Sequence, residues 1–273
     1  MSPPLVSCIL PFANPFRINL ARKTVNNFIH QHYVPYELLI INGTDARVLT
    51  NSDMETEDIQ STGCCVREIP VAAGYNAAVM KNIGLSHARG PWILCVDDDD
   101  YCHPSRLMYQ MAHRKEAEPC LLQYQLRVDI SQALRGSDAE VEGRPVRPLL
   151  HLLKMDGGIP DTMLFPRFDP ATGSAWQFDE SLATGEYANL LMRMQQHGHA
   201  GVVCDNMHNP LNAKLGWPLL SVAVYHGLNT LTYEQFFARM DPLSDRNAVP
   251  VGLNQSDMEQ LKVVLQSYNF RVQ

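Results

Sequence analysis

The sequence has no apolar stretch near the ~18 residues that a membrane-crossing helix requires, which disfavours a polymer-extruding membrane synthase. Its opening residues, Met1-Ser2-Pro3-Pro4-Leu5-Val6, offer no basic segment followed by an apolar core, so neither export nor anchoring is expected and the expected setting is cytoplasmic. Paired cysteine spacings are also missing. The seven cysteines (Cys8, Cys64, Cys65, Cys95, Cys102, Cys120 and Cys204) are odd in number and lack the two-residue separations of a structural zinc site, so reduced thiols are expected. There is no basic excess: 22 Lys and Arg against 29 Asp and Glu leave a net charge of −7, which argues against bulk attraction to a nucleic-acid backbone. No internal repeat or low-complexity tract interrupts the chain.

What is present is an ordinary globular composition, 45% hydrophobic and 19% charged over 273 residues, enough for one core with an extension. Leu5 to Pro11 is a continuous apolar run stopped by Phe12-Ala13-Asn14-Pro15, as a strand buried on both faces should be. Apolar residues at Leu20, Val25, Phe28 and Ile29 predict a helix over Asn19 to Gln31, and Glu37 to Ile41 predicts a second strand. A short strand is expected at Cys65 to Ile69 and a helix from Asn76 to Ala88. A strand from Trp92 to Val96 then delivers Asp97-Asp98-Asp99-Asp100 to its carboxyl end, where open α/β sheets bind ligands. Further on, the pattern predicts a helix over Ser105 to Glu118, a strand over Leu121 to Val128, a strong amphipathic helix over Glu186 to His197 and a strand over Ala200 to Cys204. Helix starts are expected near Thr232 and Ser256, where Gln235 and Glu259 stand in capping-box positions.

Four consecutive aspartates repel one another, and a bound cation relieves that repulsion. Carboxylate oxygens suit Mg2+ or Mn2+, ions that bridge one or two protein acids to substrate phosphates, so a diphosphate ligand is implied. Taken alone, the run also fits a cap at Asp100 with the other acids solvated in a loop.

The order strand, Pro-x-x-Asn loop, helix, strand with acidic turn, Asn-x-Gly helix, strand and aspartate run resembles the inverting family-2 glycosyltransferases of the GT-A fold. The matching blocks are Val6 to Asn14, Glu37 to Asp45, Lys81-Asn82-Ile83-Gly84-Leu85, and Ala88 to Asp100 followed by Pro104 and Leu107. The resemblance implies an α/β GT-A domain with a mostly parallel central sheet flanked by helices. Its donor half would span residues 1–115, its acceptor half 116–215, and a helical extension 216–273 would serve as lid or homodimer contact. By position, Asp97 would face the nucleotide with Asp98 beside it, and Asp97 and Asp99 would form the metal-holding Asp-x-Asp pair. Asp100 would be structural. The backbone of Pro11, Phe12, Ala13 and Asn14 would cradle the base, Asn42 would stand where a base-reading aspartate is common, and Lys81 would replace an arginine near the nucleotide. Because an amide donates as well as accepts, Asn42 bears on the expectation of a UDP-sugar. His208 would touch the metal or diphosphate.

Inverting transfer needs a carboxylate to take the acceptor's proton. The family's Gly-Glu-Asp segment corresponds to Gly185-Glu186-Tyr187, so Tyr187 occupies the aspartate position. Glu186 is then the candidate base, with Asp179 or Glu180 behind it; a retaining enzyme, or a chain that has lost catalysis, are the alternatives. Trp176, just ahead of this motif, could stack on a sugar. Two competing classes are a nucleotidyltransferase, for which the Gly-rich basic phosphate loop is missing after the first strand, and a non-catalytic sugar-nucleotide or glycan-binding module. The acceptor, whether glycan, small molecule, protein or modified nucleic-acid base, is not written in the sequence. Arg127, Arg135, Arg144, Arg147 and Arg167 are interspersed with acids and read as a mixed solvated face.

Overall fold

The structure is a computed structural model that describes residues 3–49, 63–129, 140–141, 144–145, 149–206, 220–225 and 229. Its chain begins with β1 (Val6–Phe12), α1 (Ile18–Phe28) and β2 (Tyr36–Asn42), and every residue of both strands is buried. β3 (Cys64–Pro70), α2 (Ala77–His87) and β4 (Trp92–Cys95) follow. Apolar runs make these strands because their side chains must meet helices on both faces of the sheet. The polar exceptions are paired: Glu37 accepts from Ser7 Oγ at 2.6 Å, from the Arg89 amide at 2.6 Å and from Arg67 at 2.9 Å. Asn76 caps α2 by accepting from the Val79 amide at 2.9 Å, and Gly84 lets the helix lie close on β1. A Cβ at Gly84 would stand 2.4 Å from Ile9 Cγ2.

Beyond the aspartates come β5 (Tyr101–Cys102), α3 (Arg106–His113), β6 (Cys120–Leu122) and β7 (Tyr124–Asp129). A two-residue ribbon pairs β8 (Glu140–Val141) with β9 (Arg144–Pro145). β10 (Leu149–Lys154), β11 (Leu164–Pro166), α4 (Glu186–Gln196), β12 (Val202–Cys204) and β13 (Ser221–Tyr225) follow. The main sheet has the order β12-β6-β11-β4-β1-β2-β3, and β11 alone runs against its neighbours. A second sheet, β10-β7-β13-β5, starts one residue past the aspartate run. The two faces of the main sheet carry two apolar clusters. One gathers α1 and α3; the other gathers α2 and α4 with Phe165, Trp176 and Phe178.

Several elements depart from expectation. The helix expected to reach Glu118 stops at His113, because Arg114 turns extended. The strand expected over Leu121 to Val128 is two strands in different sheets, divided at Gln123, whose amide donates to the Cys204 carbonyl while its own carbonyl accepts from Met155. The extension over 216–273 contains a strand, β13, in its described part; the helices expected near Thr232 and Ser256, and any dimer contact they make, lie outside the described residues. Among the described residues no helix is long and apolar enough to cross a membrane.

Candidate active site

β1 and β4 run side by side, and the Val96 amide still donates to the Ile9 carbonyl at 2.9 Å, so the chain leaves the sheet directly into the acids. There it turns: the Asp100 amide reaches the Asp97 carbonyl at 3.3 Å, and Thr24 Oγ1 of α1 donates to the carbonyls of Asp98 and Asp100. Buried backbone oxygens need such donors, and Thr24 ties the turn that carries the acids to α1.

Two cations meet the acids. Asn14 accepts from the Phe16 amide at 3.0 Å and seeds a single 3-10 turn, Pro15–Arg17, that swings Arg17 inward. Arg17 forks between Asp98 Oδ1 at 2.7 Å and Asp99 Oδ2 at 2.8 Å. From α2, the buried Lys81 ammonium lies 2.7 Å from Glu186 Oε1 and 3.6 Å from Asp97 Oδ1, with the Tyr187 ring centroid 3.7 Å away. Burial works to lower the Lys81 pKa, and Asp97 and Glu186 more than reverse it. Tyr187 OH donates to Asp97 Oδ1 at 3.3 Å; burial, then Asp97, pushes its pKa well above the ordinary value, so it remains a donor.

The second sheet closes the other side. Asp100 Oδ1 accepts from the Val224 amide of β13 at 3.2 Å, and Asn229 Nδ2 donates to Asp99 Oδ2 at 3.3 Å and to the Val224 carbonyl at 2.9 Å. The result is a cleft of about 820 Å³, lined at its floor by the four aspartates, on the β1 side by Pro11, Ala13 and Arg17, and on the α4 side by residues 183–188. Its volume lies within the range of small-molecule sites. Asp97 is more open than its two neighbours, with 40% of its side chain exposed against 3% for Asp98 and 8% for Asp99.

Burial raises the pKa of Asp97, with Lys81 opposing. Burial and then Asp99 raise Asp98, against Arg17, and burial and then Asp99 raise Asp100. Asp98 Oδ2 is buried without a hydrogen-bond partner. Four acids facing Arg17 and Lys81, the latter shared with Glu186, leave surplus negative charge and an acceptor oxygen unspent, a donor set that fits a divalent cation. Among the described residues no three His, Cys, Asp or Glu form a ready-made cage. Mg2+ and Mn2+ sites that complete their shell with substrate phosphate and water do not require one.

Of the residues singled out from sequence, Asp97, Asp98, Asp99, Lys81, Glu186, Pro11 and Ala13 share the cleft. Phe12 is wholly buried in the core, and Asn14 acts through the turn it caps. Asn42 does not line the cleft: its amide donates to Ala46 and Glu68 and accepts from the Thr44 amide and hydroxyl. Asp179 is outside as well, its pKa lowered by hydrogen bonds from the Ser181 hydroxyl and amide at 2.6 and 3.0 Å. Glu180 accepts from Asn82 at 2.9 Å, and His208 lies outside the described residues. Trp176 is 6% exposed, so its ring faces are taken by core. Arg17, Arg127, Asp161 and Asn229 line the cleft without having been singled out for it, Arg127 having been read as part of a solvated face.

Residues 7–137, just under half of the chain, match the family model described as Glycosyl transferase family 2. That stretch contains β1 from Ser7 onward, Arg17, Lys81 and the whole aspartate run. Over that stretch the chain is similar to family-2 glycosyltransferases, and its α/β fold is that of GT-A structures. Particular solved structures are similar to the chain. The mannosyltransferase PcManGT from Pyrobaculum calidifontis, in complex with GDP-Man and Mn2+, is 12% identical at a TM-score of 0.53, over 98% of this chain and 70% of its own. S. aureus TarS is 14% identical at 0.50, over 97% of this chain and 43% of its own. A shorter S. aureus TarS structure, in complex with UDP, is 14% identical at 0.48 over 86% of this chain. The chain spans 43% and 62% of the lengths of these two TarS structures. No curated protein matches the sequence.

Proposed function

We propose that the protein transfers a sugar from a nucleoside-diphosphate sugar to a hydroxyl acceptor, with Mn2+ or Mg2+ held by Asp97 and Asp99. The observation that carries this reading is the acid run at the carboxyl end of β4, facing a cleft of about 820 Å³ together with Arg17 and Lys81. The GDP-Man and Mn2+ bound by the Pyrobaculum enzyme support a donor and an ion of these kinds. When bound, the ion stabilises the negative charge that develops on the departing diphosphate.

The chain's own residues do the positioning. Pro11 and Ala13 shape the nucleotide side, and Arg17 holds Asp98 and Asp99 in place. Lys81 holds Asp97, helped by the Tyr187 hydroxyl. In this reading Glu186, tied to Lys81, keeps that ammonium aimed at Asp97 rather than taking a proton. UDP is the first nucleotide to try and GDP the second, because Asn42 is spent on loop contacts. Cysteines held as thiols rather than disulfides support a cytoplasmic setting.

The second reading, nucleotide-sugar binding without turnover, is favoured by the Lys81–Glu186 pair, which leaves α4 without an unengaged acid at its start. Calorimetry with UDP and GDP, with and without Mn2+, coupled to release of nucleoside diphosphate from a panel of nucleotide sugars, separates the two. Turnover of at least one donor is expected; metal-dependent binding without turnover of any donor selects the binding module. Asp99→Ala is expected to remove the metal-dependent part of binding, and undiminished binding by that variant would overturn the site assignment.

A further inference from the structure

Every carboxylate proposed from sequence as the base is engaged or misplaced. Glu186 Oε1 receives the Lys81 ammonium at 2.7 Å, Asp179 is capped by Ser181, and Glu180 receives Asn82. Removing a proton from an attacking hydroxyl requires a carboxylate oxygen that is open to the substrate. Asp161 meets that requirement. It lines the cleft, is only partly buried, and no described donor hydrogen-bonds to it. It shares the lining of the cleft with Asp97, Asp99 and Asp100, near enough for its charge to act on Asp97, Asp100 and Tyr187.

The mount is rigid although the side chain is unengaged. Asp161 is the middle residue of a 3-10 turn, Pro160–Thr162, between β10 and β11. Thr162 is wholly buried; its hydroxyl donates to the Ile159 carbonyl at 2.7 Å and accepts from the Leu122 amide at 2.9 Å, while its carbonyl accepts from Gln110 at 2.8 Å. A turn clamped on three sides holds its one outward acid at a fixed place in the cleft, as a positioned catalytic group requires.

We propose that Asp161 is the catalytic base of the transfer, a role that rests on the glycosyltransferase reading above. As the acceptor oxygen bonds to the anomeric carbon, its proton passes to the Asp161 carboxylate. The bond from that carbon to the diphosphate oxygen breaks, and its electron pair departs with the nucleoside diphosphate. Asp161 then returns the proton to solvent.

With water as the acceptor, the test is hydrolysis of the donor that the wild type turns over, in saturating Mn2+, alongside calorimetric binding of the matching nucleoside diphosphate. Asp161→Asn is expected to bind that nucleotide within about twofold of wild type while losing about 100-fold or more in turnover. Sodium formate is expected to restore part of the turnover of Asp161→Ala, which a purely structural role would not allow. Turnover by Asp161→Asn within about threefold of wild type would overturn the assignment, as would an unrescued Asp161→Ala that has also lost nucleotide binding or its cooperative melt. Failure of the wild type to bind any nucleotide or to turn over any donor would instead overturn the underlying glycosyltransferase reading, and this one with it.

Discussion

At the scale of single residues, Arg17 carries more of the site than its place in the sequence suggests. It stands 82 positions from Asp99 and meets it only because Asn14 starts a turn at the end of β1. Removing the guanidinium leaves Asp98 and Asp99 buried beside two further acids. Breaking a buried ion pair costs roughly 3–5 kcal/mol, and Arg17→Ala is expected near the low end, about 3 kcal/mol, because Arg17 retains 15% exposure. Urea unfolding with and without Mn2+ measures this, and the ion is expected to recover part of the loss by replacing the missing positive charge. No recovery would weigh against a cation among these acids. Residues carried by motif blocks, such as Asp97, Asp99, Lys81 and Glu186, were legible in the sequence. Arg17, Asp161 and Asn229 were not, because tertiary closure rather than spacing brings them to the cleft. Tyr187 was legible only as a departure from the family pattern; the hydroxyl that binds Asp97 is a fact of packing.

At the scale of elements, the central strands could be read because burial on both faces leaves a mostly apolar run, interrupted in β1 by Ser7 and in β2 by Glu37 and Asn42. The helices could be read because one face alone is apolar, as α1 shows through Ala21, Val25 and Phe28. β5, β11 and β13 carry two, three and five residues, too few for a periodic signal, and the division of one apolar run into β6 and β7 depends on which sheet each half joins. Gly84 tests the packing of α2 on β1. Alanine favours a helix by about 1 kcal/mol over glycine, yet its methyl would press on Ile9 Cγ2 at 2.4 Å, and overpacking costs roughly 1–3 kcal/mol. Gly84→Ala is therefore expected to lower Tm despite its better propensity, and a thermal melt decides the sign. Because Lys81 rides on the same helix, nucleotide binding should weaken in parallel.

At the scale of the whole molecule, the α/β sheet and the cleft at its carboxyl edge were legible from the order of the elements. The second sheet was not. Its strands lie far apart in sequence, and β13 falls where a helical extension was expected. That sheet decides how much chain the site needs. The Val224 amide and the Asn229 side chain reach back 124 and 130 residues to hold Asp100 and Asp99. The family match ends at residue 137, well before either. The chain needed to complete the cleft is therefore longer than the recognisable motif. A fragment excised at residue 137 would retain the whole run Asp97 to Asp100, yet would present it with one wall missing, so it is expected to be a poor receptor for nucleotides even where it stays in solution.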